Sequence, residues 1–151
     1  MAPFCSGAGG ASRLGFDVMD TITSGHAAAL WAGLHLFLLL ALSMLVVRLR
    51  QKHKVALGDE GIPELARAIR AFGNASEYVP TGVAALAVLA VAGASPLAIH
   101  VVGFVLFAGR VIHAVGLSNS GGASIPRALG MVCTWLAYIF AGVALLLSAI
   151  G

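Results

Sequence analysis

Charged residues are scarce in this chain: Lys, Arg, Asp and Glu make up 10% of its 151 residues, whereas hydrophobic residues make up 60%. About a quarter of the residues of an ordinary soluble domain are charged, so this composition excludes a water-soluble globular protein. The length is that of one domain. We therefore expect a small integral membrane protein whose solvent is the lipid bilayer.

Cysteine is nearly absent as well. Cys5 and Cys133 lie far apart in the sequence, and neither has metal-ligand or redox spacing around it. The five histidines include no pair with the spacing of metal ligands. The net charge of +3 does not predict a nucleic-acid partner, because the basic residues are not gathered on a soluble face.

Four apolar segments have the length that a membrane-spanning helix requires. They are predicted over about residues 26–47, 63–92, 97–115 and 126–150. Pro63 suits the first turn of the second helix, and Ser95-Pro96 suits the cap and first residue of the third. Since the connections are short, the sequence predicts an antiparallel bundle of four transmembrane helices.

Residues 1–22 are predicted to be a flexible lead, because they are rich in Gly and Ala and weakly patterned. The transmembrane domain is then residues 23–151, and either Met1 or Met19 is expected to be the biological start. The apolar run after the lead is longer than the core of a signal peptide, so it predicts an uncleaved span.

The basic residues predict the orientation of the chain. Four of the nine follow the first apolar run in one short segment: Arg48, Arg50, Lys52 and Lys54. Such a cluster beside a membrane span sets topology and contacts lipid headgroups. The turn at residues 93–95 has no basic residue, whereas Arg127 opens the fourth helix. The positive-inside rule therefore places both basic loops in the cytoplasm and both termini on the other side.

The second predicted helix carries polar side chains where apolar ones are expected. Arg67, Arg70, Asn74 and Glu77 follow at steps of three, four and three residues and so share one helical stripe. Ionisable side chains at membrane depth are costly, and they usually face a partner or a polar cavity. Pro80 removes one backbone donor from the same helix and predicts a kink beside Glu77. This stripe is the best candidate for a functional site.

Arginines from four predicted helices converge at one membrane depth: Arg48, Arg70, Arg110 and Arg127. His113 follows Arg110 on the same face of the third helix. Arginine forks bind carboxylates bidentately, and Glu77 can bind an ammonium group, so the set suits a small zwitterion with several carboxylates. A neighbouring arginine also favours the thiolate form of a bound thiol.

The same residues allow a purely structural interpretation. Arg70 and Glu77 can pair with each other or with helix ends and hold the bundle together. Arg67 and Glu64, nearer the start of the helix, are predicted to be solvated or to face lipid headgroups. Physical arguments from the sequence leave this alternative open.

The order of these motifs resembles the MAPEG family, the membrane-associated proteins of eicosanoid and glutathione metabolism. The resemblance covers about residues 26–150. Within the family, the sequence is most similar to the bacterial YecN-like branch, and residues 55–59 and 68–78 carry this similarity. Its most specific elements are Val47-Arg48-Leu49-Arg50, Arg70-x-x-x-Asn74-x-x-Glu77-Tyr78-x-Pro80 and Gly109-Arg110-x-x-His113.

The resemblance implies a homotrimer in a bacterial inner membrane, with glutathione bound as a co-substrate between neighbouring subunits near the cytoplasmic side. Arg48 is expected to reach the glutathione from the adjacent subunit. The glutathione-contacting residues implied by the family are Arg48, Arg70, Asn74, Glu77, Tyr78, Arg110 and His113. Arg127 matches the arginine that stabilises or activates the glutathione thiolate in catalytic relatives.

Some positions depart from the family pattern. Ala128 and Met131 stand where the prostaglandin-forming relative has a serine and a tyrosine, and Leu117 stands where it has another tyrosine. Gly73 replaces an additional arginine. Fewer donors weaken glutathione binding, since each hydrogen bond to a charged group contributes ~1.5–3 kcal/mol. Thiolate stabilisation then depends on Arg127.

Three functions are compatible with these residues. The first is a glutathione-dependent transferase or peroxidase that acts on apolar electrophiles or lipid hydroperoxides from the bilayer. The second is a non-catalytic glutathione- or lipid-binding scaffold, which the altered positions favour. The third is a transporter or proton path lined by Glu77, His113 and the arginines, although four short spans without a half-helix repeat argue against it.

Overall fold

The computed structural model describes residues 8–150, which form four long α-helices joined by short connections. The helices are α1 (Ala8–His53), α2 (Pro63–Val91), α3 (Pro96–Asn119) and α4 (Ile125–Ile150). All four are long and apolar enough to cross a membrane, α1 by its part Ile22–His53. The predicted all-α bundle of four transmembrane helices is thus confirmed.

Helix α1 is longer than the apolar pattern predicts: the predicted span ends near residue 47, whereas the helix continues to His53. Arg50, Lys52 and His53 lie in its last turn, where cations interact favourably with the helix dipole. At its other end, residues 8–22 belong to α1, and residues 1–7 lie outside the described residues. The predicted flexible lead over residues 1–22 stays a prediction.

The next two helices begin where proline and serine predict. Pro63 is the first residue of α2, and Pro96 is the first residue of α3. Ser95 Oγ accepts a hydrogen bond from the Ala98 amide at 3.3 Å, which satisfies one free donor of the first turn of α3. Gly93 adopts φ +80° in the preceding turn, a conformation that favours glycine.

Helices α2 and α3 are both central, because each packs against the other three helices, whereas the described residues of α1 and α4 have no close backbone approach to each other. Trp31 of α1 lies on α3, and a Cβ atom on Gly103 would be 2.3 Å from its indole ring. The apolar core around this indole is Ala27, Ala28, Leu86, Leu89, Ala90, Ile99 and Ala141.

Helices α3 and α4 approach each other most closely at two glycines. A Cβ atom on Gly130 would lie 2.5 Å from the Gly109 carbonyl oxygen and 2.5 Å from the His113 amide nitrogen. Small residues at such crossings let membrane helices pack backbone to backbone. This crossing holds Arg110 and His113 of α3 directly against α4.

Gly130→Ala is therefore expected to destabilise the bundle by about 1–3 kcal/mol, the usual cost of overpacking. The two nearest atoms that the new methyl group would meet are backbone atoms and the third is the His113 Cβ atom, so none of them can turn away. Gly142→Ala is the matched control on the same helix, since nothing lies within 4 Å of its Cβ position. Thermal unfolding in detergent, followed by tryptophan fluorescence, compares the two variants. Equal melting temperatures would contradict the close approach.

Candidate functional site

Arg110 is the only buried residue among the Lys, Arg, Asp and Glu side chains of the described chain, with 1% of its surface exposed. Its Nη1 donates to Asn74 Oδ1 at 2.7 Å, and its Nε donates to Thr134 Oγ1 at 2.9 Å. Its Nη2 lies 3.6 Å from Met131 Sδ. The described residues offer it no carboxylate, so neutral groups satisfy its hydrogen bonds and its charge remains uncompensated.

An aromatic pair lies beside this guanidinium. The Cζ atom of Arg110 is 5.0 Å from the ring centroid of Tyr78, within the range of a cation–π interaction. The ring of Tyr138 is 6.0 Å from that of Tyr78, and the Tyr138 hydroxyl donates to the Tyr78 carbonyl. Helices α2 and α4 thus enclose Arg110 from two sides.

One stripe of α4 supplies most of the contacts that the sequence prediction did not include. Arg127, Met131, Thr134 and Tyr138 follow at steps of four, three and four residues, so they share one helical face. Thr134 accepts from Arg110 and donates its own proton to the Gly130 carbonyl at 2.9 Å. Sequence analysis could have identified Thr134 and Tyr138 from this spacing, because they lie on the helical face that begins with Arg127.

His113 fixes the start of α4. Its Nδ1 donates to the Arg127 carbonyl oxygen at 2.9 Å, and the residue is 8% exposed. The Arg127 guanidinium extends to the loop before α4, where Nη1 donates to the Gly122 carbonyl. Backbone and side chain of Arg127 are therefore both held in place.

Two cavities meet at Arg127. The first, which we call the arginine pocket, has a volume of about 290 Å³ and is lined by Pro63, Ala66, Arg67, Arg70, Leu117, Ser120, Gly121 and Arg127. The second, which we call the α4 groove, has a volume of about 360 Å³ and is lined by His113, Ala123, Ser124, Arg127, Ala128, Met131, Val132 and Trp135. The first is cationic, whereas the second is mainly apolar.

Three of the predicted site residues are exposed on the single chain: Arg48, Arg70 and Glu77. The structural alternative in which Arg70 pairs with Glu77 is not found. Among residues 19, 20 and 22–150, whose side chains the structure describes, ion pairs involve only Glu64, which binds Lys52 at 2.7 Å and also His53. Glu64 thus ties the end of α1 to the start of α2. Its side chain remains 37% exposed, so the prediction of a solvated or headgroup-facing carboxylate is compatible with this ion pair.

Arg67 differs from its prediction. It is half-buried in the arginine pocket, and its Nε donates to the Ser118 carbonyl oxygen at 3.1 Å. The sequence predicts a solvated or headgroup-facing side chain because α2 alone does not reveal that the end of α3 lies beside this position. Arg67, Arg70 and Arg127 are therefore brought together, while Arg48 remains apart from them.

The positions that depart from the family pattern have structural roles. Leu117 is 7% exposed and packs in a core cluster with Leu42, Ala71, Ala75 and Ala114. Met131 contacts Arg110 through its sulfur. One hydroxyl group that the sequence analysis did not identify lines the α4 groove, namely that of Ser124. Its Oγ is buried and has no hydrogen-bond partner among the described residues.

Comparison with known proteins places these residues in a family. The model of the MAPEG family matches residues 28–147, which include every residue of the candidate site. Two curated relatives, both named inner membrane protein YecN, come from Escherichia coli K12 and from Escherichia coli O6:H1 strain CFT073. Each is 40% identical over 112 residues, which cover 74% of this chain and 84% of the relative. The chain therefore belongs to the MAPEG family of membrane proteins.

Proposed function

We propose that this protein is a glutathione-dependent membrane transferase or peroxidase that acts on apolar electrophiles or lipid hydroperoxides. The observation that carries the proposal is the position of Arg127, which lines both the arginine pocket and the α4 groove. A thiol peptide held by the arginines and an apolar acceptor in the groove would meet at this side chain. Its guanidinium would oppose the negative charge on the sulfur.

The polar residues of α2 and α3 suit the charged groups of glutathione. Arg70 and Arg110 supply guanidinium groups for carboxylates, and Glu77 supplies a carboxylate for the ammonium group. Arg70 and Glu77 are separated by two helical turns, or about 10 Å, which is the reach of an extended tripeptide. Asn74 lies between them and Tyr78 directly follows Glu77, so both can complete the contacts from α2, and His113 adds one from α3.

The exposed charges support a homotrimer as the functional assembly. Arg48 and Glu77 lie on apolar helices, yet they are exposed on the single chain. Charges in that position are costly in lipid, so a neighbouring copy is the natural partner. Arg48 of one subunit would then reach the glutathione site of the next. Chemical cross-linking in the membrane tests this assembly.

The proposed location is a bacterial inner membrane, with both termini on the non-cytoplasmic side. The two relatives are inner membrane proteins by name. With this orientation the arginine pocket opens toward the cytoplasm, from which glutathione would enter. The acceptor would enter from the bilayer through the α4 groove, whose lining includes the exposed side chain of Trp135.

In the transferase reaction the thiol proton passes to water, and the thiolate attacks the electrophilic carbon. The carbon–sulfur bond forms while the bond to the leaving group breaks and its electron pair departs. In the peroxidase reaction the thiolate attacks the terminal oxygen of the hydroperoxide, the O–O bond breaks, and the alcohol is released after protonation. A second glutathione then reduces the sulfenic acid, giving glutathione disulfide and water.

A non-catalytic glutathione- or lipid-binding scaffold is the second candidate. It is favoured by Ala128, Met131 and Leu117, none of which presents a hydroxyl group to Arg127. The buried Ser124 hydroxyl in the α4 groove instead favours the enzyme, because it offers a further hydrogen-bond donor to a thiolate. The two candidates share a binding site and differ in turnover.

Calorimetry and turnover on the detergent-purified protein separate these candidates. We expect saturable binding of glutathione, together with conjugation of 1-chloro-2,4-dinitrobenzene or reduction of a lipid hydroperoxide. Binding without turnover across several electrophiles and hydroperoxides would favour the scaffold. Failure to bind glutathione at all would reject the transferase and the glutathione-binding scaffold, and would leave a lipid-binding scaffold as the remaining candidate.

A further inference from the structure

A cavity between α1 and α2, which we call the His35 cavity, contains a single polar side chain. It has a volume of about 210 Å³, and His35 is the one polar side chain among its described lining residues. The others are Ala32, Leu36, Leu39, Val79, Pro80 and Val83. An apolar cavity of about 150 Å³ is large enough to bind benzene, so this one has room for a ring of similar size.

The ring of His35 is held firmly, yet one of its nitrogens has no hydrogen-bond partner. The residue is fully buried, its Nδ1 donates to the Trp31 carbonyl oxygen at 2.7 Å, and its ring packs edge-on against Phe107 of α3. Nε2 is also buried, and it has no partner among the described residues. A buried polar atom without a partner is rare, because it loses its hydrogen bonds to water without replacement.

The hydrogen bond to Trp31 determines what Nε2 can bind. A carbonyl oxygen only accepts, so Nδ1 carries the hydrogen atom, and Nε2 of the neutral ring presents a lone pair. Nε2 therefore accepts a hydrogen bond from a ligand. A buried water molecule makes about two to four hydrogen bonds, but the side chains of this cavity offer it one partner. The lining suits an apolar molecule with one hydroxyl group better than it suits water.

The His35 cavity is reached from the exposed surface of the single chain. Leu36 at its wall is 67% exposed, and Pro80 is exposed as well. Nε2 itself is closed to solvent, so binding requires a side-chain movement at the wall, which the exposed Leu36 can make. His35 lies near the middle of the membrane-crossing part of α1, Ile22–His53, so a ligand enters from the bilayer.

We infer that the His35 cavity binds apolar molecules of the phenol class, which carry one hydroxyl group on a small ring, and that His35 Nε2 accepts their hydrogen bond. The site is separate from the two cavities at Arg127, because it shares no lining residue with either. It does not require glutathione, so it stands or falls independently of the proposed function.

The test compares 4-ethylphenol with 4-ethylanisole, in which a methyl group replaces the hydroxyl hydrogen. The full chain in nanodiscs is titrated with each compound, and the methyl NMR signals of Val79 and Val83 at the cavity wall report binding. The ratio of the two affinities in the wild type is divided by the ratio in His35→Phe, which removes the difference in partition into lipid. We expect a quotient of about five or more in favour of the phenol, as for one hydrogen bond.

A matched control is available on the same helix. His26→Phe removes an exposed histidine outside the cavity and should keep the wild-type ratio of affinities.

Nitrogen NMR of the histidine side chains gives a second readout, which needs no variant. Without a ligand, we expect His35 to carry its hydrogen on Nδ1 and to show an Nε2 signal without a hydrogen bond. 4-Ethylphenol should shift the Nε2 signal, whereas 4-ethylanisole should not. This comparison remains decisive even if His35→Phe does not fold.

Four results would overturn the inference, and none of them bears on the glutathione site. The first is a hydrogen atom on Nε2. The second is an Nε2 signal that already shows a hydrogen bond without a ligand, which would identify water or a second copy of the chain as the occupant. The third is an equal ratio of affinities in the wild type and His35→Phe. The fourth is the absence of methyl shifts with either compound.

Discussion

Arg127→Ala is expected to lower turnover at saturating glutathione by about 10²–10³-fold, the usual cost of removing one donor that stabilises developing charge. The guanidinium lies between the arginine pocket and the α4 groove, where the thiolate and the acceptor would meet. The fold should persist, because His113 donates to the backbone carbonyl of Arg127 and alanine retains that carbonyl. Single-turnover conjugation of 1-chloro-2,4-dinitrobenzene measures the effect.

Two controls define this result. Lys54→Ala removes an exposed cation outside both cavities and should leave turnover unchanged. Size-exclusion chromatography of Arg127→Ala should show the same assembly as the wild type. Turnover of the variant should also rise more steeply with pH, because the thiolate must then form without its neighbouring cation. Turnover equal to that of the wild type would reject the role of Arg127.

Arg110→Met is expected to weaken glutathione binding by about tenfold or more, as for the loss of one interaction with a charged group. The guanidinium is 1% exposed and has no acidic partner among the described residues. A charge in so apolar a setting acts on a nearby carboxylate with little screening by water. Calorimetry on the purified protein measures the loss.

The stability of this variant should not fall in parallel with its affinity. A buried charge without an opposite charge is costly, and methionine of similar length can fill much of its space. We expect a melting temperature close to that of the wild type, although Asn74 and Thr134 lose a donor. Arg110→Lys, which keeps the charge and loses the planar fork, should bind glutathione with intermediate affinity. Wild-type affinity in Arg110→Met would show that the buried charge is only structural.

The helices could be predicted because their signals are local. Pro63, Ser95 and Pro96 start α2 and α3 at the predicted positions, and apolar runs of membrane length give the rest. The beginning of α1 could not be predicted in this way. Residues 8–22 lack the apolar periodicity that identifies a helix in a sequence. They are nevertheless helical, because helix formation there depends on intrinsic propensity and not on an apolar stripe.

The candidate site could be predicted only in part, because its contacts cross between helices. The steps from Arg70 to Glu77 identify one stripe of α2, but the partner of a given side chain depends on how α2, α3 and α4 cross. Thr134 and Tyr138 meet Arg110 and Tyr78 because Gly109 and Gly130 let α3 and α4 approach closely. Arg67 is turned toward the end of α3 by the Ser118 carbonyl.

The most direct measurement is a density map of the protein in nanodiscs with glutathione present. We expect one peptide per subunit, with a carboxylate at Arg70, its ammonium group at Glu77 and its sulfur beside Arg127. Side chains of the neighbouring subunit, Arg48 among them, should close the site. A map in which the arginines extend to lipid headgroups and no peptide lies between them would contradict a glutathione site in this protein.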